Sequence, residues 1–303
     1  MKAVVLHEYG GPDKLKYEDA PDPEPGEGQV LVRVAAASIN PIDWKMRSGA
    51  AKERFPVEFP AILGRDVSGT VRSVGAKVQG FAPGDKVMAL AWKTYAELCV
   101  VDAKDLVRVP DGMDVVNAAA VALVALTGEQ LVRLGANVEK GQTVLVTGAL
   151  GSVGRGAVFT AKQIGATVFA GVRESQRDEA AELGADEVIA LDDDDDLERL
   201  GFLDAVADTV NGEAAQKLIA KVKQGGVYGS VVGPPANAKM HPTVRVQPIM
   251  AKPDAERLRW LAEQVTAGRL RIPIDRMVPL ADAAKAHAAA EKGGVGGKIL
   301  LLA

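Results

Sequence analysis

Apolar residues in this chain fall into runs of two kinds, and the kind changes along its length. Through about residue 117 they form short runs, Gln29 to Ala36, Gly69 to Val74, Asp85 to Leu90 and Tyr95 to Val101. Gly- and Pro-rich turns separate them, which predicts a compact all-β unit opened by the loop Ala20 to Gly28. From about 118 to 246 strand-like and helix-like stretches alternate, as in a parallel doubly wound sheet. The predicted strands there are Thr143 to Thr147, Thr167 to Val172, Glu187 to Leu191, Ala205 to Val210 and Gly226 to Val232. Beyond about 247 the pattern gives a helix (Asp254 to Ala267), a short strand, an Ala-rich helix (Ala281 to Lys292) and a last strand, Lys298 to Leu302.

Between the first two strands of the alternating region lies the densest chemical signal. The aliphatic run Thr143 to Thr147 breaks at Gly148 and opens onto a helical pattern from Ser152 to Gly165. The connection reads Ala149-Leu-Gly151-Ser152-Val153-Gly154, a dinucleotide fingerprint with alanine at its first glycine position. Gly151 lets backbone approach a pyrophosphate, Gly154 lets the helix pack on the strand, and the phosphates sit on free N–H groups at the helix N-terminus. The alternative is an ordinary βα turn; the pattern's place between a strand and a helix, with a second strand following, favours the fingerprint.

The end of the second strand selects the dinucleotide. NAD sites place Asp or Glu about 20 residues past the glycines to hold the ribose 2′-hydroxyl. This chain has Arg173 there, then Glu174, Ser175 and Arg177. A guanidinium and a hydroxyl suit a 2′-phosphate, so the expected cofactor is NADP(H). In the alternative, Arg173 and Arg177 form one solvated i,i+4 face and Glu174 holds the ribose.

Composition narrows the class. At 303 residues the chain suits two domains. A net charge of −4 gives no basic bias toward nucleic acid or an anionic membrane. No apolar stretch reads as approaching the ~20 residues of a membrane span, and the start Met1 to Glu8 lacks a signal-peptide profile. Cys99 is the one cysteine, so no internal disulfide forms, as expected in a reducing cytoplasm; within Leu98 to Val101 it reads as a small core residue. The acidic run Asp192 to Asp196 lacks the glycine and terminal glutamate of a calcium loop and reads as solvated.

Several phrases, in order, resemble one family. They are Lys2 to Val5, Ala37-Ser-Ile-Asn-Pro-Ile-Asp-Trp-Lys-Met-Arg-Ser-Gly49, Leu63-Gly-Arg-Asp-Val-Ser-Gly69, Val74 to Val87, Val124-Ala-Leu-Thr127, the nucleotide loop, Leu183 to Asp186 and Gly296 to Leu300. Together they resemble the medium-chain dehydrogenase/reductases, and within them the zinc-free quinone oxidoreductases, or zeta-crystallin-like proteins. The resemblance implies an α/β chain with a GroES-like β-barrel catalytic domain (1–117 and 247–303) and a doubly wound Rossmann cofactor domain (118–246), with the cofactor in the cleft between them. A homodimer stays open.

Zinc alcohol dehydrogenases carry Gly-His-Glu where this chain has Gly64-Arg65-Asp66. Cys99, His7, His241 and His287 are scattered without ligand spacing, so no metal is expected. Without a Lewis acid the favoured hydride acceptors are those that delocalise charge, quinones or α,β-unsaturated carbonyls. An NADP(H)-binding protein with little turnover, redox-sensing or structural, and a stand-alone enoyl reductase of a biosynthetic pathway are the alternatives.

The resemblance also implies site residues. It places Asn40 beside the nicotinamide and Asp43 to Lys45 near the substrate. Lys45 would stabilise an enolate or be a surface lysine, and Asp43 could instead pair with Arg47 at i,i+4. Thr127 resembles a threonine near the cofactor, although Gly128-Glu129 replaces the usual bulky pair. Val232 and Gly233 end a strand where the nicotinamide amide is held, and Lys298 would reach the cofactor phosphates or cap a strand. Tyr95 and Trp92 line the pocket or belong to the core; His241 and His287 read as incidental.

Overall fold

Val30, Val32 and Val34, alternating with Leu31, Arg33 and Ala35, open the ten-residue strand around which the first unit is built. That unit contains, in order, β1 (Lys2–Leu6), β2 (Leu15–Asp19), this long β3 (Gln29–Ser38) and α1 (Pro41–Ser48). There follow β4 (Ala61–Ile62), β5 (Asp66–Val74), β6 (Lys86–Leu90), β7 (Leu98–Asp102), β8 (Val107–Arg108) and α2 (Val115–Ala118). β3 pairs antiparallel with β5 along one edge. Its other edge is divided, Gln29 to Arg33 taking β7 and Ala36 to Ser38 taking the chain's last strand. Register shifts at Leu31/Val32 and Val34/Ala36 mark bulges, which bend a strand and raise its twist. Gly69 permits the close approach on the β5 side, since a Cβ there would lie 2.0 Å from the Arg33 carbonyl oxygen.

The computed structural model describes all 303 residues and divides them into two compact units, Met1–Leu123 with Pro253–Ala303, and Val124–Lys252. The second contains most of α3 (Ala122–Gln130), a π-helical turn at Leu131–Gly135, then β9 (Thr143–Thr147), α4 (Ser152–Ile164) and β10 (Thr167–Val172). It continues with α5 (Arg177–Ala180), β11 (Glu187–Ala190), α6 (Asp194–Arg199), β12 (Leu203–Asp208), α7 (Gly212–Ile219), β13 (Val222–Ser230) and β14 (Arg245–Pro248). All six strands are parallel in the order β11-β10-β9-β12-β13-β14. Numbered within the unit that order is 3-2-1-4-5-6, the doubly wound dinucleotide topology, whose switch point lies between β9 and β12. Val144 and Val146 enter the core shared with Ala157, Val158 and Ala161 of α4, while Leu145 enters the opposite one with Leu218 and Ile219 of α7. That split is the period-two geometry of a strand buried on both faces.

The tail returns to the first unit as α8 (Ala255–Thr266), β15 (Ile274–Pro279), α9 (Ala283–Lys292) and β16 (Lys298–Leu302). β15 and β16 run parallel, and Leu300 to Leu302 pair with Ser38 to Ala36 of β3. The predicted β9, β10 and β16 agree with the observed strands to the residue.

Three sequence expectations need correction. The helical stretch Val115–Gly135 is long and apolar enough by composition to cross a membrane, contrary to the reading that none is; 72% of its most apolar 18 residues are buried, as in core helices. β12 and β13 end at Asp208 and Ser230, so Val232 and Gly233 lie beyond the strand rather than at its end. The ends close early because Ser230 Oγ donates to Asp208 Oδ2 (2.9 Å), and Gly233 then turns into the left-handed region at φ 108°. The acidic run is not all loop either: Asp193 caps α6 by accepting from the N–H groups of Asp195 and Asp196.

Candidate active site

Gly148 leaves β9 with φ +59°, and a side chain there would strike Thr209 Oγ1 at 2.6 Å. The chain then turns through Ala149, whose N–H donates to the Gly171 carbonyl (3.1 Å), and Gly151 becomes the N-cap of α4. Gly151 has no side chain to cap with, so the first-turn N–H groups of Ser152, Val153 and Gly154 are left as an anion-binding terminus. Its own Cβ would meet only the Gly148 oxygen, at 3.2 Å. At Gly154 a Cβ would lie 2.1 Å from that oxygen, so this glycine is what seats the helix on the strand. Gly128 does the same for the neighbouring helix, because a Cβ there would lie 2.4 Å from the Val153 oxygen. The glycine in place of a bulky residue thus lets α3 lie against α4, with Thr127 largely buried beside it.

At the end of β10 the two arginines separate. Arg173 and Ser175 are exposed, and the Arg173 side chain has no ion pair within the chain. Arg177 is committed to protein partners: Glu174 (2.6 Å), Asp196 (2.7 Å) and the Val188 carbonyl (3.0 Å). Those hydrogen bonds, to Glu174 first, hold its pKa above the usual guanidinium value. Arg177 therefore tethers α5 to α6 instead of reaching for a 2′-phosphate, and it occupies the Glu174 carboxylate that would have repelled one.

Below the switch point Asp208 is fully buried and accepts from Thr147 Oγ1 (2.8 Å), Ser230 Oγ and the N–H groups of Val210 and Asn211. It ties the ends of β9, β12 and β13 together. Nothing in its local sequence marks it out, since its partners come from residues 147 and 230.

In the first unit, the Ser38–Asp66 end of the β3–β5 pair carries a buried polar cluster. Asn40 caps α1; its N–H donates to Asp43 Oδ2 (2.8 Å) and its Nδ2 to Asp66 Oδ2 (2.8 Å). Ser38 Oγ donates to the same Asp66 oxygen, and Asp66 Oδ1 accepts from the Leu123 N–H (2.6 Å). Lys298 Nζ donates to Asn40 Oδ1 and to the Ile39 carbonyl (2.9 Å) and stands 3.8 Å from Asp66. Burial pushes its pKa below the usual lysine value, against the pull of Asp66 and Asp43. Lys298 therefore neither reaches phosphates nor simply caps a strand: its ammonium is spent inside this cluster.

Asp43 Oδ2 also accepts from Tyr95 Oη (2.8 Å), while Oδ1 is buried without a partner. Burial raises this carboxyl to about 6, against the hydrogen bonds from Tyr95 and Asn40. Tyr95 Oη is 3.3 Å from His287 Nε2, and His287 Nδ1 is 3.3 Å from Arg47 Nη1. Burial, then Arg47, pushes the imidazole down to about 3, so it is neutral at ordinary pH. Arg47 itself pairs with Glu291 (2.7 Å) and the Gly10 carbonyl (3.1 Å), and not with Asp43. Lys45 sits on the exposed side of α1.

Residues 26–111 match the alcohol dehydrogenase GroES-like domain and residues 183–301 the zinc-binding dehydrogenase family. Across 99% of its length the chain is 30% identical to a chloroplast envelope quinone oxidoreductase homolog of Arabidopsis thaliana, covering 98% of that protein. The chain belongs to the medium-chain dehydrogenase/reductase superfamily. Within it, it falls in the quinone oxidoreductase-like group. The quinone oxidoreductase of Coxiella burnetii is 31% identical and superposes with a TM-score of 0.88, covering 100% of this chain and 99% of that one. Mycobacterial Rv1454c, solved complexed with NADPH, is 27% identical with a TM-score of 0.84 and covers 100% of both chains.

Membership of that superfamily makes the chain an oxidoreductase served by a nicotinamide cofactor. Of the residues singled out from the sequence, the structure joins Asn40, Asp43 and Lys298 in one cluster, while the glycine loop and Arg173 follow the ends of the neighbouring parallel strands β9 and β10. To the first cluster it adds Asp66, resolves Tyr95 as a fully buried residue bonded to Asp43, and holds a neutral His287 between Arg47 and Tyr95. Asp66 carried a signal, standing where zinc-dependent relatives have the glutamate of Gly-His-Glu. The contact between Tyr95 and His287, 192 residues apart, carried none.

Proposed function

We propose that this oxidoreductase is NADPH-dependent and metal-independent, and that it transfers hydride to a quinone or an α,β-unsaturated carbonyl. The observation that carries the reading is at the end of β10. An exposed, unpaired Arg173 stands in the acidic position of NAD sites, while Arg177 occupies the neighbouring Glu174 carboxylate. The uncapped N-terminus of α4 fits a pyrophosphate, and Arg173 with Ser175 fits a 2′-phosphate. When bound, the nicotinamide supplies the hydride.

The names of the quinone oxidoreductases this chain resembles support the acceptor class, and the NADPH complex of the mycobacterial relative supports the cofactor. The donor set supports metal independence, because nowhere do three His, Cys, Asp or Glu side chains gather as ligands. NADPH oxidation over a panel of quinones, enones and alkenals should show turnover with at least one class. Tight NADPH binding with no turnover on any member would replace this reading with that of a binding protein.

A further inference from the structure

Arg65 precedes β5, and its surroundings are unusual for a guanidinium. It is 4% exposed, yet its only hydrogen bond within the chain is from Nε to the Ala91 carbonyl (3.0 Å). The Arg65 carbonyl accepts from the Ala91 N–H in return (2.9 Å), so backbone and side chain are both pinned to the end of β6. Gly64 fixes the approach: at φ 99° a Cβ would lie 2.3 Å from Thr94 Oγ1 and 2.5 Å from the Tyr95 ring. The guanidinium carbon stands 3.5 Å from the ring centroid of Trp92, which is 46% exposed and itself 6.2 Å from the Phe55 ring. The terminal nitrogens of Arg65 donate to nothing in the protein.

A buried cation without an ion pair is expensive, and such groups collect where a ligand completes them. The nearest carboxylates do not complete this one. Asp66 is engaged by Ser38, Asn40, Leu123 and Lys298, and Asp43 by Asn40 and Tyr95. Burial holds the Arg65 pKa below the usual guanidinium value, and those two carboxylates oppose the shift only through space.

We propose that Arg65 is a catalytic residue that binds the acceptor's oxygen through its terminal N–H groups, with Trp92 as the wall against which a flat conjugated acceptor lies. This rests on the reductase reading and names the contact that reading lacks. In an enone, hydride adds to the β-carbon with its electron pair, the C=C electrons move to form a new double bond toward the carbonyl carbon, and the carbonyl electrons collect on oxygen. Arg65 stabilises that enolate oxygen, and a solvent proton then completes the α-carbon. The guanidinium thus stands at the sequence position of the missing histidine ligand and stabilises the same developing charge without a metal.

The test uses 4-nitrophenol as a stable oxyanion probe on the full-length protein, read by phenolate absorbance. Bound probe should ionise about one pH unit below free probe. Arg65→Met should abolish the shift, and Arg65→Lys, which keeps charge but not the flat fork, should keep only part. Arg65→Met should also lower kcat/KM for the acceptor panel by about 10²-fold and leave NADPH affinity within about twofold. Equal probe ionisation in wild type and Arg65→Met overturns the inference, as does a wild type that does not bind the phenolate. If Arg65→Met does not fold, the wild type and Arg65→Lys decide it, and an unweakened shift in the lysine variant counts against it. A wild type that binds the phenolate but reduces no acceptor loses the reductase reading alone; turnover undiminished in Arg65→Met loses this inference alone.

Discussion

Arg173 and Arg177 are the same residue type four positions apart, yet only one of them is available to a ligand. Replacing Arg173 with Ala should erase most of an NADPH-over-NADH preference of at least about tenfold, about 1.4 kcal/mol, and leave NADH affinity nearly unchanged. Arg177→Ala should lower the thermal midpoint through lost pairs to Glu174 and Asp196 and leave that preference in place. Equal affinities for the two cofactors in the unaltered protein, by fluorescence titration, would sink the assignment. Asp43 gives a second test. Its carboxyl is raised from 3.8 to about 6 on folding, so the folded state holds the proton more tightly than the unfolded one. The group therefore weighs least on stability below its unfolded value and destabilises progressively as pH rises toward 6. A shift of about two units corresponds to about 3 kcal/mol. Urea unfolding should find the wild type losing about that much, relative to Asp43→Asn, between about pH 4 and about pH 7. Parallel stability curves for the two proteins would contradict the burial argument. Legibility at this scale followed locality. The position of Arg173 relative to the glycines could be counted, as could Glu174 three residues before Arg177, whereas Asp196 on Arg177 and Asn40 on Lys298 come from positions that no local spacing shows.

Elements were legible wherever their ends are set locally. β9, β10 and β16 end where their apolar runs end, and α4 stops at Gly165, a left-handed cap with φ 87°. β12 and β13 were misplaced by two or more residues because their ends are fixed across the sheet by Asp208, Ser230 and Thr147. Helix seating gives the prediction at this scale. The two glycines of the nucleotide loop serve different purposes, so their variants should fail differently. Gly151→Val has room, with only the Gly148 oxygen at 3.2 Å from the new Cβ; it should fold with a near-native thermal midpoint and lose NADPH binding, since its side chain fills pyrophosphate space. Gly154→Ala puts a Cβ where backbone lies 2.1 Å away and must lift α4 off β9, costing about 1–3 kcal/mol. A folded Gly151→Val protein that still binds NADPH tightly would put the nucleotide elsewhere.

For the whole molecule, the alternation of strands and helices gave the parallel sheet, but only the family resemblance joined the tail to the N-terminal unit. The β16–β3 pairing spans more than 260 positions, beyond any periodicity argument. The same view of the full chain decides what to expect of metals. Each soft or imidazole donor has a place. Cys99 is buried and its thiol is pushed up to about 12 by desolvation, far from a thiolate ligand. His287 is held between Arg47 and Tyr95, and His7 pairs with Glu18 (2.8 Å) on the surface. His241 reaches only Asn237, at 3.5 Å. A tetrahedral zinc site needs at least three ligands on one centre, and these residues form no such group. Simple alcohol oxidation in this superfamily relies on such a centre to stabilise an alkoxide, whereas a conjugated acceptor spreads its charge onto a distant oxygen. Chelator treatment should therefore leave the rate on quinones or enones unchanged, elemental analysis should find no stoichiometric zinc, and primary alcohols should not be oxidised at useful rates. A chelator-sensitive alcohol dehydrogenase activity would overturn both the metal assignment and the reaction class, and would require ligands from a second chain.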